Sequence, residues 1–177
     1  LTLPPSLART MSTARTPNKL ARTVAGFQRL PQGLRTWATS FALGRVVPLV
    51  GTAGLRFDEL TPQRVVVRIR NQRKVQNHIQ GVHAAAMALL AETATGFCVG
   101  MNLPDDKLPL IKTMKIDYVR RSQGDMVAAA SLRPEQIQQI LTQDKGEVTV
   151  PVTITDASGE QPIQAEMVWA WVPKKRA

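Results

Sequence analysis

Hydrophobic positions recur along the chain with two different periods, and the change of period divides the chain. Between residues 17 and 50, apolar side chains recur every three or four residues, which predicts two amphipathic helices interrupted by Pro31. Residues 1–16 have no period and predict a disordered N-terminus. From residue 51 onwards, apolar and polar positions mostly alternate, as in half-buried β-strands.

One long helix and six strands are predicted after residue 51. The helix, residues 81–100, is apolar on nearly every side and is therefore expected to be buried all round. Because short turns link most of the later strands, one antiparallel sheet is expected to wrap this helix, which gives an α+β fold class. A helical turn is predicted at 134–141, and the strands at 53–60, 64–70, 108–120, 126–132, 146–155 and 162–172.

The predicted organisation is a disordered segment 1–16, a helical extension 17–50 and a domain 51–177. The extension carries an apolar stripe that we expect to dock on the domain. Burial of half of these side chains, at about 1.5–3 kcal/mol each, outweighs a loose contact between arginines and an anionic partner. The stripe consists of Leu20, Val24, Phe27, Leu30, Leu34, Trp37 and Phe41.

Positive charge is concentrated at the N-terminus. The 177 residues include 23 Lys and Arg and 13 Asp and Glu, a net charge of +10. Residues 1–57 hold eight of the cations and no acid, so the rest of the chain is nearly balanced. Such a segment suits phosphates, an acidic membrane surface or an acidic partner.

Composition excludes several classes of protein. Apolar residues make up 44% of the chain, which is too many for a disordered protein. The single Cys98 allows no internal disulfide, and no zinc or other metal site is expected. No apolar run approaches about 18 residues, so no transmembrane helix is expected. We expect a cytoplasmic protein, with the mitochondrial matrix as the alternative because the N-terminus is basic and acid-free.

Glu92 is the only charged residue in the predicted buried helix. An ionised carboxylate is costly in such a place unless it is paired or hydrated. Burial should raise the pKa of Glu92, which suits a general base near neutral pH. The alternative is a structural carboxylate that accepts hydrogen bonds from backbone N–H groups.

The residues around this helix resemble those of hotdog-fold acyl-CoA thioesterases. Asn77, His83 and Glu92 follow one another at intervals of six and nine residues. The branch related to the phenylacetate-pathway thioesterase has Asn, His and Asp or Glu at these intervals. The resemblance covers about residues 50–172 and extends to a less characterised branch with N-terminal helices. It departs from the family at His83-Ala84-Ala85, where His-Gly-Gly is common.

The resemblance implies hydrolysis of an acyl-CoA or acyl-carrier-protein thioester. Glu92 would act as general base or as nucleophile, and the N–H of Ala84, with that of Ala85, would polarise the thioester carbonyl. Asn77 would orient the water or the carbonyl, or else cap a turn. His83, kept neutral by the positive end of the helix dipole, would donate to the thioester oxygen or only hold the turn. Thr113 on the long strand would hold the attacking water.

No cofactor is expected, because coenzyme A is part of the substrate. Its phosphates would meet Arg120 and Arg121, with Arg73 and Lys74 as second candidates, since arginine binds phosphate with two parallel hydrogen bonds. The alternative for Arg120 and Arg121 is a solvated strand end.

Two further expectations concern partners. Hotdog domains usually pair through their sheets, which implies a homodimer or a tetramer built from dimers. The alternative function is a non-catalytic, acyl-thioester-binding or regulatory hotdog protein that uses the basic N-terminal segment. Binding to nucleic acid is disfavoured because the segment lacks the pattern of a helix-turn-helix.

Overall fold

The computed structural model of the chain describes residues 16–175. The predicted disorder of residues 1–16 lies outside these residues, apart from Thr16. The described residues form five helices: α1 (Lys19–Phe27), α2 (Gln32–Val46), α3 (Pro48–Ala53), α4 (Ala84–Gly100) and α5 (Pro134–Thr142). They also form seven strands: β1 (Arg56–Leu60), β2 (Arg64–Ile69), β3 (Lys107–Tyr118), β4 (Met126–Ser131), β5 (Gly146–Val150), β6 (Val152–Asp156) and β7 (Ile163–Pro173).

All strand pairs are antiparallel, and they form one layer around α4. One sheet has the order β1-β2-β4-β6 and the other β3-β7-β5. Strands β5 and β6 follow each other across Pro151, so this segment passes from one sheet to the other. Helix α4 packs against strands of both sheets. This arrangement confirms the predicted α+β fold, in which antiparallel strands wrap one long helix, but the one sheet expected from the sequence is divided into two.

The helix and β7 approach each other closely where α4 has a glycine. A Cβ at Gly96 would lie 2.6 Å from the Trp169 ring, so any side chain there would push the strand away. The Trp169 indole N–H donates to Thr95 Oγ1 at 2.9 Å, which satisfies both buried groups. The large Trp169 side chain of β7 therefore packs directly against the backbone of α4 at Gly96, which leaves no gap in the core.

Three predicted elements differ from the structure. The strand expected at 146–155 is two strands, because Pro151 has no N–H for the ladder. Residues 53–55 are not strand: α3 ends at Ala53, and Gly54 adopts φ +73° to close it. The helix α4 is not buried all round. Ala84 and Ala85 in its first turn are exposed, and the buried positions begin at Met87.

The N-terminal helices dock on the domain, but through fewer residues than expected. Val24, Leu43 and Val50 are buried in the common core. Asn18 accepts from the N–H of Ala21 and donates from Nδ2 to two carbonyls at the end of α4, those of Gly100 and Leu103, at 2.7 and 2.6 Å. This side chain therefore starts α1 and ties it to α4.

Three of the seven residues of the predicted apolar stripe face outward. The exposed fractions are 49% for Leu34 and 58% for both Trp37 and Phe41. Helix α2 instead buries Thr39 and Leu43, one turn apart on another face. The expectation that the whole stripe docks is therefore wrong for these three residues. The spacing of apolar residues identified the helix but chose the wrong face as buried.

The two ends of the layer are protected to different degrees. At β1 the helix α2 covers the edge, and Ser40 Oγ accepts from the N–H of Phe57 at 2.9 Å. At the other end, β3 has a neighbour on one side only. Nearly all of β3 is exposed, including Leu108, Leu110, Ile111, Met114 and Tyr118. A long, exposed, apolar edge strand of this kind favours pairing with another chain.

We predict that the substitution Leu43→Ala destabilises the protein, whereas Trp37→Ala on the same helix does not. Leu43 is 3% exposed and Trp37 is 58% exposed. Removing a buried leucine side chain costs about 2–5 kcal/mol of unfolding free energy. Surface substitutions stay within about 0.5 kcal/mol. Denaturant unfolding of both variants measures the difference, and equal stabilities would contradict the docking of α2.

We also predict that the protein associates through β3. Leu110→Lys places a charge in the middle of the exposed edge, where pairing would bury it, and should release monomers. Gln138→Lys adds the same charge on an exposed position of α5 and serves as the control. Sedimentation velocity measures both proteins. A Leu110→Lys variant that keeps the wild-type mass would place the interface elsewhere.

Candidate active site

Glu92 lies near the middle of α4 and is half-buried. Desolvation raises the pKa of its carboxyl above 4.5, and a long hydrogen bond from Thr93 Oγ1 to Oε2, 3.4 Å, opposes this only in part. No other described residue donates a hydrogen bond to the carboxylate. The structural alternative, a carboxylate held by backbone N–H groups, is therefore not what this site contains.

A cavity of about 600 Å³ lies beside Glu92. One wall comes from α4 and β7, and the other comes from the N-terminal helices. Charged side chains, among them Lys19, Asp105 and Lys107, line other parts of it. The apolar lining residues include Leu20, Leu43, Val46, Val47, Val50 and Phe97.

His83 caps the first turn of α4. The ring Nδ1 accepts from the backbone N–H of Ala85 at 3.0 Å, and the backbone N–H of His83 donates to the carbonyl of Val75 at 2.8 Å. An accepting Nδ1 places the proton of a neutral imidazole on Nε2. The ring is exposed, so this N–H is available to a ligand.

One backbone donor of the helix start is left open. The N–H of Ala85 is engaged by His83 Nδ1, and that of Ala86 donates to the carbonyl of His83 at 2.9 Å. Ala84 is exposed, and its N–H makes no hydrogen bond to any described residue. Of the two N–H groups expected at an oxyanion site, that of Ala85 is therefore engaged within the chain and only that of Ala84 is open.

Asn77 holds the loop that precedes this turn. Its Oδ1 accepts from the N–H groups of Ile79 and Gly81, both at 3.1 Å, and the loop places Gln80 at φ 63°. This is the turn-holding role that the sequence left as an alternative. The Nδ2 group of Asn77 makes no hydrogen bond within residues 16–175, and so both of its N–H donors remain for a ligand.

The helix keeps its two candidate groups apart within one chain. Ala84 and Glu92 are separated by eight residues of α4, which corresponds to about 12 Å along the axis. A catalytic hydrogen bond spans only about 3 Å. One carbonyl group of a ligand therefore cannot contact both the Ala84 N–H and the Glu92 carboxylate of the same chain.

Thr113 is not brought to Glu92 or to the first turn of α4. It is exposed and pairs with Val168, whereas its neighbour Met114 pairs with the buried Met167. An irregularity between Ile111 and Thr113 shifts the alternation, so Thr113 lies on the face of β3 away from the core. Tyr118, which the sequence did not single out, reaches α4 instead. Its Oη donates to the carbonyl of Ala84 at 3.0 Å.

Arg120 is engaged inside the protein. Its Nη1 donates to Asp156 Oδ2 at 3.1 Å and to Ser158 Oγ at 3.3 Å. Although burial alone raises the pKa of Asp156, hydrogen bonds from Ser158 and from the N–H groups of Gln123 and Ser158, with the Arg120 charge, hold it below the usual value. Arg120 thus neutralises a buried carboxylate, which corrects its assignment to coenzyme A phosphates.

The other three phosphate candidates are exposed. Arg121, Arg73 and Lys74 form no ion pair with a described residue.

Cys98 is buried, and desolvation raises the pKa of its thiol to about 12, so it stays protonated. Among residues 16–175 there is no group of three or more His, Cys, Asp or Glu residues that could hold a metal ion. Nor do these residues include a helix long and apolar enough to span a membrane.

Solved structures with this fold include proteins described as thioesterases. A Pseudomonas aeruginosa protein described as a probable thioesterase is 25% identical, with a TM-score of 0.70, and the match covers 82% of this chain and 97% of that one. A Haemophilus influenzae thioesterase is 12% identical (TM-score 0.60, covering 76% and 91%). A thioesterase family protein from Silicibacter pomeroyi is 15% identical (TM-score 0.60, covering 76% and 96%).

These likenesses confirm the hotdog fold. A comparison with curated protein sequences gives no match. A family model described as a domain of unknown function, DUF4442, matches residues 35–172, from the first turn of α2 to the end of β7. Because this match spans more than half of the chain, the protein belongs to the DUF4442 family.

Proposed function

We propose that the protein is a thioesterase that hydrolyses an acyl-CoA or an acyl-carrier-protein thioester. The observation that carries this proposal is Glu92, a half-buried carboxylate with a raised pKa beside a largely apolar cavity of about 600 Å³. A perturbed carboxyl group in a cavity of this kind is typical of an active site. The thioesterases among the structures with this fold support the same reaction class.

The open N–H of Ala84 would stabilise the oxyanion. In hydrolysis, the thioester carbonyl gains negative charge as the nucleophile adds to its carbon. The Ala84 N–H and the positive end of α4 would meet this charge, and Nε2–H of His83 would donate a second hydrogen bond. Collapse of the tetrahedral intermediate then expels the thiolate, which is protonated to the free thiol.

Glu92 has two chemically balanced routes. As a general base it takes a proton from water, and the resulting hydroxide adds to the carbonyl carbon. As a nucleophile its carboxylate oxygen adds instead, releases the thiol and leaves a mixed anhydride that water then hydrolyses. Both routes require the ionised carboxylate and yield the same acid and thiol, so both remain part of the proposal.

A complete site would form between two chains. The Ala84 N–H and the Glu92 carboxylate lie too far apart on one helix to act on the same carbonyl group. Pairing through the open edge of β3 would bring a second copy of α4 near the first, because Tyr118 at the end of β3 contacts the first turn of α4. We therefore propose a symmetric homodimer in which Glu92 of one protomer and the Ala84 N–H of its partner act on the same thioester.

The acyl group would enter the cavity beside Glu92. Its apolar lining, in which Leu43 and Phe97 take part, suits a hydrocarbon chain or an aromatic ring. Much of this lining comes from α1, α2 and α3, so the N-terminal helices would help to select the acyl group. The alternative function is a non-catalytic, acyl-thioester-binding or regulatory protein that uses the basic N-terminal segment. It would bind the acyl group in the same cavity, without chemistry at Glu92.

We predict that Glu92→Gln lowers hydrolysis of acyl-CoA by about 10²-fold or more, because the amide keeps the shape but cannot accept the proton. A panel of acyl-CoA substrates with thiol detection measures the rates. Glu160→Gln, an exposed residue of the β6–β7 loop, is the matched control and should keep the wild-type rate. A Glu92→Gln variant within a few-fold of wild type would favour the binding protein.

The pH dependence gives a second readout of the same change. Since burial raises the pKa of Glu92, kcat/KM should fall as pH drops through a midpoint above 4.5.

A raised pKa also means that the ionised carboxylate destabilises the fold above pH 4.5. Glu92→Gln should therefore be more stable than wild type at neutral pH, with the difference vanishing at lower pH. A wild type that is more stable at neutral pH would contradict the assignment.

A further inference from the structure

A basic groove of about 670 Å³ lies on the far side of the α2–α3 pair from the Glu92 cavity. Its four cations come from separate elements: Arg45 from α2, Arg56 from β1, Arg70 from the end of β2, and Lys74 from the short 3₁₀ turn that follows. No acidic residue is among the described residues that line it. We call this surface the basic groove.

The cations of the basic groove are left without counter-charges. All four are exposed, and none forms an ion pair or a side-chain hydrogen bond within the described part of the chain. On the same two strands, by contrast, Arg64 pairs with Glu59 and Arg68 pairs with Asp58. Converging like charges that the protein itself does not neutralise attract a polyanion.

An aromatic pair lines the same groove. Trp37 and Phe41 stack with ring centroids 5.7 Å apart and planes 11° from parallel. Each is 58% exposed, although rings of this size are normally buried. Stacked rings offer a flat surface on which a planar heterocycle can pack. The groove thus combines cations for a phosphate group with an aromatic surface for a base.

The groove is connected to the start of α4. Lys74 immediately precedes Val75, whose carbonyl accepts from the N–H of His83. Asn77 is the third residue after Lys74, so their Cα atoms are at most about 11 Å apart. A ligand anchored by its phosphates in the groove could therefore extend a flexible arm towards the open N–H of Ala84.

We propose that the basic groove binds the nucleotide end of coenzyme A, an adenosine that carries a diphosphate and a 3′-phosphate. Arg45, Arg56, Arg70 and Lys74 contact the phosphates, and the adenine packs on Trp37. This inference rests on the proposed thioesterase function. It also gives a role to the acid-free N-terminal segment, which supplies Arg45, Arg56 and the aromatic pair.

The binding test uses the full chain and adenosine 3′,5′-bisphosphate, measured by titration calorimetry. Arg45→Ser and Arg70→Ser should each weaken binding about tenfold, as expected for loss of a charge-assisted hydrogen bond. Arg29→Ser removes an exposed arginine outside the groove and should leave affinity unchanged. Trp37→Ala should weaken binding of the bisphosphate but not of inorganic pyrophosphate, which has no base. Trp37→Phe should retain most of the affinity for the bisphosphate.

The kinetic test separates this inference from the proposed function. With acyl-CoA, Arg45→Ser should raise KM and leave kcat within about twofold, whereas acyl-pantetheine, which lacks the nucleotide, should show no such rise. If wild type hydrolyses acyl-CoA but the groove variants show no rise in KM, the binding role of the groove is wrong and the thioesterase function is retained. If the bisphosphate binds in the groove but no acyl-CoA is hydrolysed, the binding role is supported and the thioesterase function is wrong.

Two other outcomes would overturn the groove proposal. Arg121 is an exposed arginine at the other predicted phosphate position. If Arg121→Ser weakens binding of the bisphosphate and Arg45→Ser does not, the nucleotide binds near Arg121 and not in the basic groove. Vesicles of phosphatidylcholine and phosphatidylserine could bind the chain in a salt-sensitive way that Arg45→Ser and Trp37→Ala abolish, with no binding of the bisphosphate. The groove would then be a surface for anionic lipid.

Discussion

The burial of α4 within a single antiparallel layer is the constraint on which the rest of the structure depends. A helix covered on most sides must be apolar around its circumference, and it must have small residues where strands come close, as Gly96 does beside Trp169. One carboxylate in that helix is expensive to desolvate, which is why the pKa of Glu92 is raised. The same wrapping leaves the first turn of the helix exposed, so its open N–H faces solvent.

The alternation of apolar residues was enough to predict the fold. The strand β2 alternates buried and exposed positions as its sequence does, and the apolar stretch around residue 90 is indeed the central helix. Single residues that interrupt a pattern were harder to interpret. Pro151 divides a predicted strand, and α3 is too short to show a period. The exposed side of α2 depends on which face packs against β1, and the spacing of Trp37 and Phe41 does not contain that information.

The candidate site was predictable where one residue contradicts its surroundings. Glu92 is conspicuous because it is charged within an apolar helix, and the motif around it identified Asn77, His83 and Ala84. Residues whose role depends on a distant partner were not predictable. Arg120 looks like a free cation until Asp156, 36 residues later, folds beside it. The wall that α2 gives to the cavity and the four cations of the basic groove likewise come from elements far apart in the sequence.

In the proposed dimer, Glu92 and the Ala84 N–H act on one substrate from different chains, and a purified heterodimer tests this arrangement. Ala84→Pro removes the N–H at the first helical position, where proline fits and where His83 already has a compatible backbone, φ −62° and ψ 143°. Co-expression with Glu92→Gln under two affinity tags yields the mixed dimer. Both parent homodimers should be nearly inactive, and the heterodimer, with one intact site of two, should show about half the wild-type activity. A heterodimer as inactive as its parents would show that the two groups do not act across the dimer.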